Sequence, residues 1–222
     1  MKYQLRDYQK KASDAAVMCF KMKSGRNGLL VLPTGAGKSL IIADIAARLE
    51  EPLIVFQPNK EILEQNFAKL QTYGIWDCSI YSASVGRKEI SHITFATIGS
   101  VIRHMKDFQH FKNILIDECH LVKPSDGMYK RFFEQAERRI VGLTATPYRL
   151  YSCMNGSMLK FLTRTRPRVF SQVLYYCQVS ELLAKGFLSR LKYYDVTRID
   201  LTKVRRNSSG ADFDDASLSD EF

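Results

Sequence analysis

The sequence predicts an α/β fold: a mostly parallel, wound sheet with helices on both faces. Short apolar, β-rich runs alternate with helix-length amphipathic stretches from residue 8 to residue 143. Three of those runs, at 29–32, 53–56 and 113–116, are apolar without a break, as parallel strands covered on both faces require. The first of them also passes through a glycine-rich turn straight into a helix, the unit from which wound sheets are built.

The elements follow in order. Residues 8–24 show helical spacing ahead of the strand Leu29–Leu32. The alanines and apolar stripe of Ser39–Leu49 make 38–50 the clearest helix, and Leu53–Phe56 is the next strand. A helix at 59–72 leads to strands at Ser79–Tyr81 and Ile93–Ala96; a helix at 98–106 leads to Asn113–Ile116; a helix at 126–137 leads to Arg139–Leu143. Regularity fades after Tyr148. Segment 151–170 is mixed and basic, with Lys160, Arg164, Arg166 and Arg168. Val179 to Gly186 reads as a helix stopped by glycine, and Phe187 to Val196 as a strand. The expected division is one α/β domain at 1–150, a basic segment at 151–206 leading towards a second domain, and an acidic, turn-rich tail or linker at 207–222.

Composition narrows the class. Of 222 residues, 45% are hydrophobic and 25% charged, ordinary for a globular protein with a sizeable core. No apolar stretch approaches the roughly 18 residues of a membrane span, and the N-terminus lacks a signal peptide's apolar region. The expectation is no membrane partner and a cytoplasmic location, nucleoid-associated in a bacterium. Cys19, Cys78, Cys119, Cys153 and Cys177 form no Cys-x-x-Cys pair, which fits reduced, mostly buried thiols. The net charge of +10 is uneven: +7 over 1–150, +8 over 151–206 and −5 over 207–222. A basic body suits a polyanionic partner such as nucleic acid.

The chemistry is concentrated in two strings. Leu32-Pro-Thr-Gly-Ala-Gly-Lys-Ser39 sits where a strand enters a helix. That is the context of a phosphate-cradling loop formed by Thr34, Gly35, Ala36, Gly37, Lys38, Ser39 and Leu40. Glycines there let backbone N–H groups approach phosphates, and the helix N-terminus adds partial positive charge. Lys38 is placed to bridge the β- and γ-phosphates, and the Ser39 hydroxyl to ligate Mg²⁺. The strict pattern begins with glycine, and here Leu32 stands at that position. Downstream, Asp117 and Glu118 end an apolar strand, at the edge where α/β sheets bind ligands. One carboxylate there can hold Mg²⁺ and its neighbour can deprotonate water.

Six strings in order extend this pair into a family resemblance. Leu5-Arg-Asp-Tyr-Gln-Lys10 resembles the Q motif of superfamily 2 helicases, and Phe56-Gln-Pro-Asn-Lys-Glu-Ile-Leu-Glu-Gln65 their motif Ia. Phe95-Ala-Thr-Ile-Gly-Ser-Val101 resembles motif Ib/Ic, and Gly142-Leu-Thr-Ala-Thr-Pro-Tyr-Arg149 their Ser/Thr-Ala-Thr motif. The wording of these strings, with Asp-Glu-Cys-His120, looks most like the RadD, XPB and type I/III restriction-translocase branch. Glu181-Leu-Leu-Ala-Lys-Gly-Phe-Leu-Ser189 is similar to the segment following the first RecA-like domain in that branch.

The resemblance implies a RecA-like P-loop domain that uses ATP and Mg²⁺ to move on nucleic acid, DNA in preference to RNA. It implies that Gln9 reads the adenine edge and that Arg6 packs on the base or contacts phosphate. Lys38, Asp117, Glu118 and His120 would form the catalytic set, with Ser39 and Asp117 on the metal. His120 would pass the nucleotide state to the turn Thr144, Ala145 and Thr146. Pro58, Asn59, Thr97 and Ser100 would contact the backbone of one strand; Arg103 and the basic 160–168 cluster are vaguer candidates. Such a motor needs a second RecA-like domain carrying an arginine finger. Some 75 residues follow Tyr148 without a Gln-x-x-Gly-Arg-x-x-Arg string, so the chain reads as a first motor domain with the start of a linker. Alone it is expected to bind ATP·Mg²⁺ modestly and hydrolyse it poorly. A P-loop phosphotransferase, an RNA helicase domain and a non-catalytic nucleic-acid-binding module are the competing readings.

Overall fold

The computed structural model describes residues 4–22, 26–153 and 156–190. Helix α1 (Asp7–Lys21) precedes β1 (Gly28–Val31), α2 (Lys38–Arg48), β2 (Leu53–Phe56) and α3 (Lys60–Thr72). Then come β3 (Cys78–Ser82), β4 (Arg87–Lys88), β5 (Ile93–Ala96), α4 (Ile98–Val101), β6 (Asn113–Ile116), α5 (Met128–Phe133) and β7 (Arg139–Thr144). The hairpin β8 (Tyr148–Cys153) and β9 (Gly156–Phe161), strand β10 (Gln172–Tyr176) and α6 (Val179–Ala184) complete it.

Eight strands form one sheet in the order β10-β1-β7-β6-β2-β5-β3-β4, parallel except for the short edge strand β4. Both faces are covered, which is why the central runs tolerate no polar alternation. Alternate residues feed two cores. Leu53, Val55, Phe95 and Leu115 pack with Leu63, Phe67 and Leu70 of α3 and with α1 and α2. Ile54, Phe56, Ala96, Ile114 and Ile116 pack on the other face with Phe108, Phe111 and Phe132. Burying a large apolar side chain contributes about 1.5–3 kcal/mol, so the double core is what holds the strand ends in register.

The six strands predicted between residues 29 and 143 are all present, and three features depart from the expectation. The helices at 98–106 and 126–137 are shorter: Ile98–Val101 followed by a 3₁₀ turn at Met105–Phe108, and Met128–Phe133. The fading region after Tyr148 contains three strands. Strand β10 pairs with β1 in parallel, and Cys177 and Leu182 beyond it are buried in the same core as α1. Helix α6 ends before Gly186 at φ +68°, the left-handed stop the sequence announces. Phe187–Arg190 form no strand; the rest of the strand expected to Val196, and the tail at 207–222, lie outside the described residues.

No helix among the described residues is long and apolar enough to cross a membrane. Cys19, Cys119 and Cys177 are buried and Cys78 half-buried, all as free thiols.

Candidate functional site

The sheet delivers its candidate residues to one edge, the carboxyl ends of β1, β6, β7, β2 and β5. Strand β1 runs into the glycine turn, where Gly35 and Gly37 adopt φ +80° and +77°. An L side chain resists those angles, and a Cβ on Gly37 would collide with Gln9 Nε2. Gly37 caps α2, accepting from the Leu40 and Ile41 amides. Leu32, at the position where the strict motif has glycine, is fully buried, and its N–H donates to Thr144 O at 3.0 Å. The leucine thus extends the β1–β7 pairing into the core, while the two later glycines supply the loop's curvature.

Lys38 opens α2, and its Nζ lies 2.7 Å from Glu118 Oε1 in a pair only partly exposed. Glu118 itself sits at φ 47°, ψ 48°, a left-handed backbone that glutamate rarely adopts. Non-glycine residues in this region cost about 1–3 kcal/mol and concentrate at functional sites. Asp117, 5% exposed, accepts from the Glu118 amide at 3.0 Å and from Asn66 Nδ2 at 3.2 Å. Burial pushes its carboxyl up to about 6, and the Glu118 charge adds to the rise; Lys38 and the two hydrogen bonds oppose it. His120 Nδ1 stands 3.3 Å from Glu118 Oε2 and 3.0 Å from Thr144 Oγ1. Thr144 Oγ1 in turn accepts from Thr146 N–H at 3.0 Å. Lys38, Glu118, His120, Thr144 and Thr146 therefore form one continuous polar chain across β1, β6 and β7.

Helix α1 approaches the same loop from one side. Gln9 Nε2 and Tyr8 Oη both donate to Ala36 O at 2.9 Å, and Gln9 Oε1 accepts from Arg6 N–H at 2.9 Å. Gln9 is 3% exposed. Both ends of the Gln9 amide, which the resemblance assigns to the adenine edge, hold protein backbone here and anchor the phosphate loop to α1. Arg6 stacks on Phe187, with its guanidinium 4.1 Å from the ring centroid. That pairing joins α1 to the segment after α6, whose Leu188 also crowds Gly35. Ala145, Pro33 and Thr34 line a cleft of about 910 Å³ against Val179, Leu183 and Leu188.

A second cleft, about 550 Å³, opens beyond β2 and β5. Pro58, Asn59, Thr97 and Ser100, the four residues that the resemblance assigns to the backbone of one strand, all line it. Asn59 caps α3, accepting from Ile62 N–H at 2.9 Å. Thr97 Oγ1 lies 2.9 Å from Ser100 Oγ and 3.2 Å from Ser82 Oγ, and Ser82 Oγ lies 3.0 Å from Ser84 Oγ. Lys60, Lys88, Arg103 and His104 surround this hydroxyl network. A basic, hydroxyl-rich cleft of this kind suits a phosphodiester backbone. The basic 160–168 cluster is not part of it.

Sequence reasoning missed Asn66, Tyr8, Phe187, Ser84 and Lys88. Asn66 had a signal: it interrupts the buried stripe Leu63, Phe67, Leu70 of α3. Ser84 and Lys88 had none, because β4 is only two residues long.

Comparison with known proteins places the fold in a family. The family model for the type III restriction enzyme res subunit matches residues 2–149. The DNA 3'-5' translocase XPB2 of Sulfurisphaera tokodaii is 29% identical over 151 residues, 67% of this chain and 32% of that protein. The DNA 3'-5' helicase XPB of Mycobacterium tuberculosis is 29% identical over 154 residues, 65% of this chain and 27% of that protein. The chain thus spans about a third or less of the length of these two relatives. Among solved structures, the UvsW helicase from bacteriophage T4 superposes with a TM-score of 0.57 at 19% identity, over 78% of this chain and 61% of that one. The Sulfolobus solfataricus SWI2/SNF2 ATPase core in complex with dsDNA gives 0.54 at 21%, over 66% and 33%. These two likenesses concern the fold. Since the matched residues run from the start of α1 through the Thr-Ala-Thr turn, two-thirds of the sequence, the chain belongs to the type III restriction enzyme res subunit family, as a superfamily 2 RecA-like domain of the XPB branch.

Proposed function

We propose that this chain is the ATP-binding motor domain of an ATP-dependent DNA helicase or translocase, acting with a second RecA-like domain in repair or restriction. The contact between Lys38 and Glu118, 2.7 Å, carries the reading, because it brings a phosphate-binding cation and a candidate base to one point beside the glycine loop. The residues present fit a triphosphate with Mg²⁺. Gly35 and Gly37 keep Cβ atoms out of the loop, and Ser39 and Asp117 offer the hard oxygen donors that Mg²⁺ prefers. Bound ATP·Mg²⁺ supplies the phosphoanhydride to be cleaved and the cation that screens its charge.

The protein's own groups divide the work. Lys38 binds the terminal phosphates, and in moving to them it releases Glu118. The freed carboxylate takes a proton from the attacking water. Asp117 would hold the metal, with its rotamer fixed by the hydrogen bond from Asn66. His120 reports the state of Glu118 to Thr144, and through it to the turn at Ala145 and Thr146. Meanwhile Asn59, Thr97, Ser100, Lys60, Lys88 and Arg103 hold one strand by its backbone. The relatives named for 3'-5' movement on DNA support DNA as the polymer.

Two titrations of this chain test the reading. A fluorescent ATP analogue with Mg²⁺ should bind, and Lys38→Ala should weaken it about 10- to 100-fold, the worth of a charge-assisted hydrogen bond. Labelled single-stranded DNA should bind with an affinity that falls as salt rises. A chain that binds the analogue equally with and without Lys38 is not using this loop. Preference for RNA of the same sequence would favour an RNA motor instead.

A further inference from the structure

Gln57 is a buried polar group that the site described above does not use. Its carboxamide is buried, the residue 1% exposed, and neither Nε2 nor Oε1 has a hydrogen-bond partner among the described residues. Native proteins rarely leave both ends of a buried amide unsatisfied, because each orphaned group bears its desolvation penalty without a bond to offset it. The cost calls for a compensating use.

Its position suggests one. Strand β2 lies between β6 and β5, with Phe56 opposite Ile116 on one side and Ala96 on the other. One residue further on, Gln57 is flanked by Asp117 and by Thr97. The backbone keeps this row in place: Asp117 N–H donates to Phe56 O at 3.0 Å and Gln57 N–H to Ala96 O at 2.9 Å. Alternation along the strands puts the three side chains on one face. Val55, Leu115 and Phe95, two residues earlier in each strand, all belong to the core beneath α3. Helix α3 brings Asn66 to that same face, where Nδ2 holds Asp117 Oδ2 while Oδ1, among the described residues, is also without a partner. So the sheet edge carries a buried polar row. Asp117 with Asn66 stands on the nucleotide side, Thr97 with its hydroxyl network on the strand side, and an amide with a free donor and a free acceptor stands between them.

We infer that Gln57 is a positioning residue that couples the two clefts, its amide turning to join the Asn66–Asp117 pair to the Thr97 hydroxyl network when both are engaged. The inference rests on reading Asp117 as a nucleotide-side group and Thr97 as a strand contact. A carboxamide suits this role because one group both donates and accepts, so a single rotation engages both neighbours. The row lies wholly within this chain, so the coupling must be a property of the chain alone.

The experiment is a linkage cycle on the 222-residue chain. Labelled single-stranded DNA is titrated with and without a saturating non-hydrolysable ATP analogue and Mg²⁺, for the parent sequence and for Gln57→Met. Coupling between two ligands typically changes affinity about 5-fold or more. The parent should show such a factor, and Gln57→Met should reduce it to about 2-fold or less. Each ligand measured alone should bind the variant within about 2-fold of the parent. The melting temperature of Gln57→Met should be unchanged or raised, because an apolar side chain of similar size replaces an unsatisfied amide. Gln57→Leu serves as the second variant should the methionine perturb folding. Undiminished coupling in both variants, no coupling in the parent, or a marked fall in stability of both variants would overturn the inference. Failure of the parent to bind the analogue or the DNA at all would instead defeat the proposed function beneath it.

Discussion

Lys38 Nζ and Glu118 Oε1 are 2.7 Å apart, closing an ion pair between the first residue of α2 and the residue that follows β6 by two. The lysine cannot serve a phosphate and hold this carboxylate at the same time. Nucleotide binding therefore has to exchange one charge partner for another. Glu118→Gln should spare binding of the ATP analogue, since Lys38 is then less strongly held. In the presence of a second motor domain it should block hydrolysis. Comparing analogue affinity with steady-state phosphate release separates the two effects, and intact turnover would remove Glu118 from the role of base.

The buried carboxyl of Asp117 gives a pH dependence with a definite sign. Its folded value, raised from 3.8 to about 6, means that the folded chain holds an extra proton between those values. The charged form is disfavoured by the fold, so this group's contribution to stability falls as pH rises through that window. Mg²⁺ needs the ionised form. Affinity for ATP·Mg²⁺ should then drop about tenfold for each pH unit below 6, with proton release on binding near pH 6. Calorimetric titrations at pH 5 and 7.5 in two buffers of different ionisation enthalpy would detect both. Asp117→Asn should flatten the profile.

The strand cleft makes an electrostatic prediction. Lys88 and Arg103 reach it from β4 and from the turn after α4, and neither is needed for the core. Lys88→Ala or Arg103→Ala should weaken single-stranded DNA binding about equally for all sequences. Each should lower the salt slope by about 0.7, the value for one phosphate on a single strand. Affinity measured from 50 to 300 mM salt decides this, and an unchanged slope would move the strand elsewhere on the surface.

Glycine substitutions distinguish packing from open space. A Cβ on Gly142 would lie 2.6 Å from Cys119 Sγ and 2.8 Å from the Phe170 ring, so Gly142→Ala should cost about 1–3 kcal/mol. Gly99, in α4, has nothing within 4 Å of the added carbon. Gly99→Ala should be neutral or stabilise by up to about 1 kcal/mol through helix propensity. The melting temperature should fall for Gly142→Ala and hold or rise for Gly99→Ala, and equal losses would contradict the close packing of β7 on Cys119.

Much of this arrangement is legible in the sequence because the decisive signals are local. Continuous apolar runs such as Leu53–Phe56 announce their own burial, and Gly35 and Gly37 announce their own backbone angles. The structure places Lys38, Glu118, His120 and Thr144 together because each lies at or just beyond a strand end, and strand ends are readable. What escaped depends on distant partners. Gln172–Tyr176 is as β-rich as the strands that were identified, but its place beside Gly28–Val31 is set by a partner some 140 residues earlier. The hairpin Tyr148–Phe161 alternates Tyr148, Leu150, Leu159 and Phe161 on one face with Arg149 and Lys160 on the other, and its basic residues masked the period. Gln9 shows the limit most clearly: a motif supplies the residue, but the 2.9 Å bond to Ala36 O depends on how α1 lies on the loop.

The pairing of β10 with β1 governs how the molecule is made as well as how it stands. On a ribosome, the segment that feeds the phosphate loop emerges early, and its outer neighbour is translated only after the hairpin and the Thr-Ala-Thr turn. Until then the nascent domain carries a half-finished sheet, with the Gly28–Val31 backbone offering unpaired amides to any passing strand. Contacts so far apart in sequence are slow to close. Trimming the polypeptide at residue 150, where the recognisable motifs stop, would make that transient edge permanent and yield an aggregation-prone product. Expression trials should keep everything through α6.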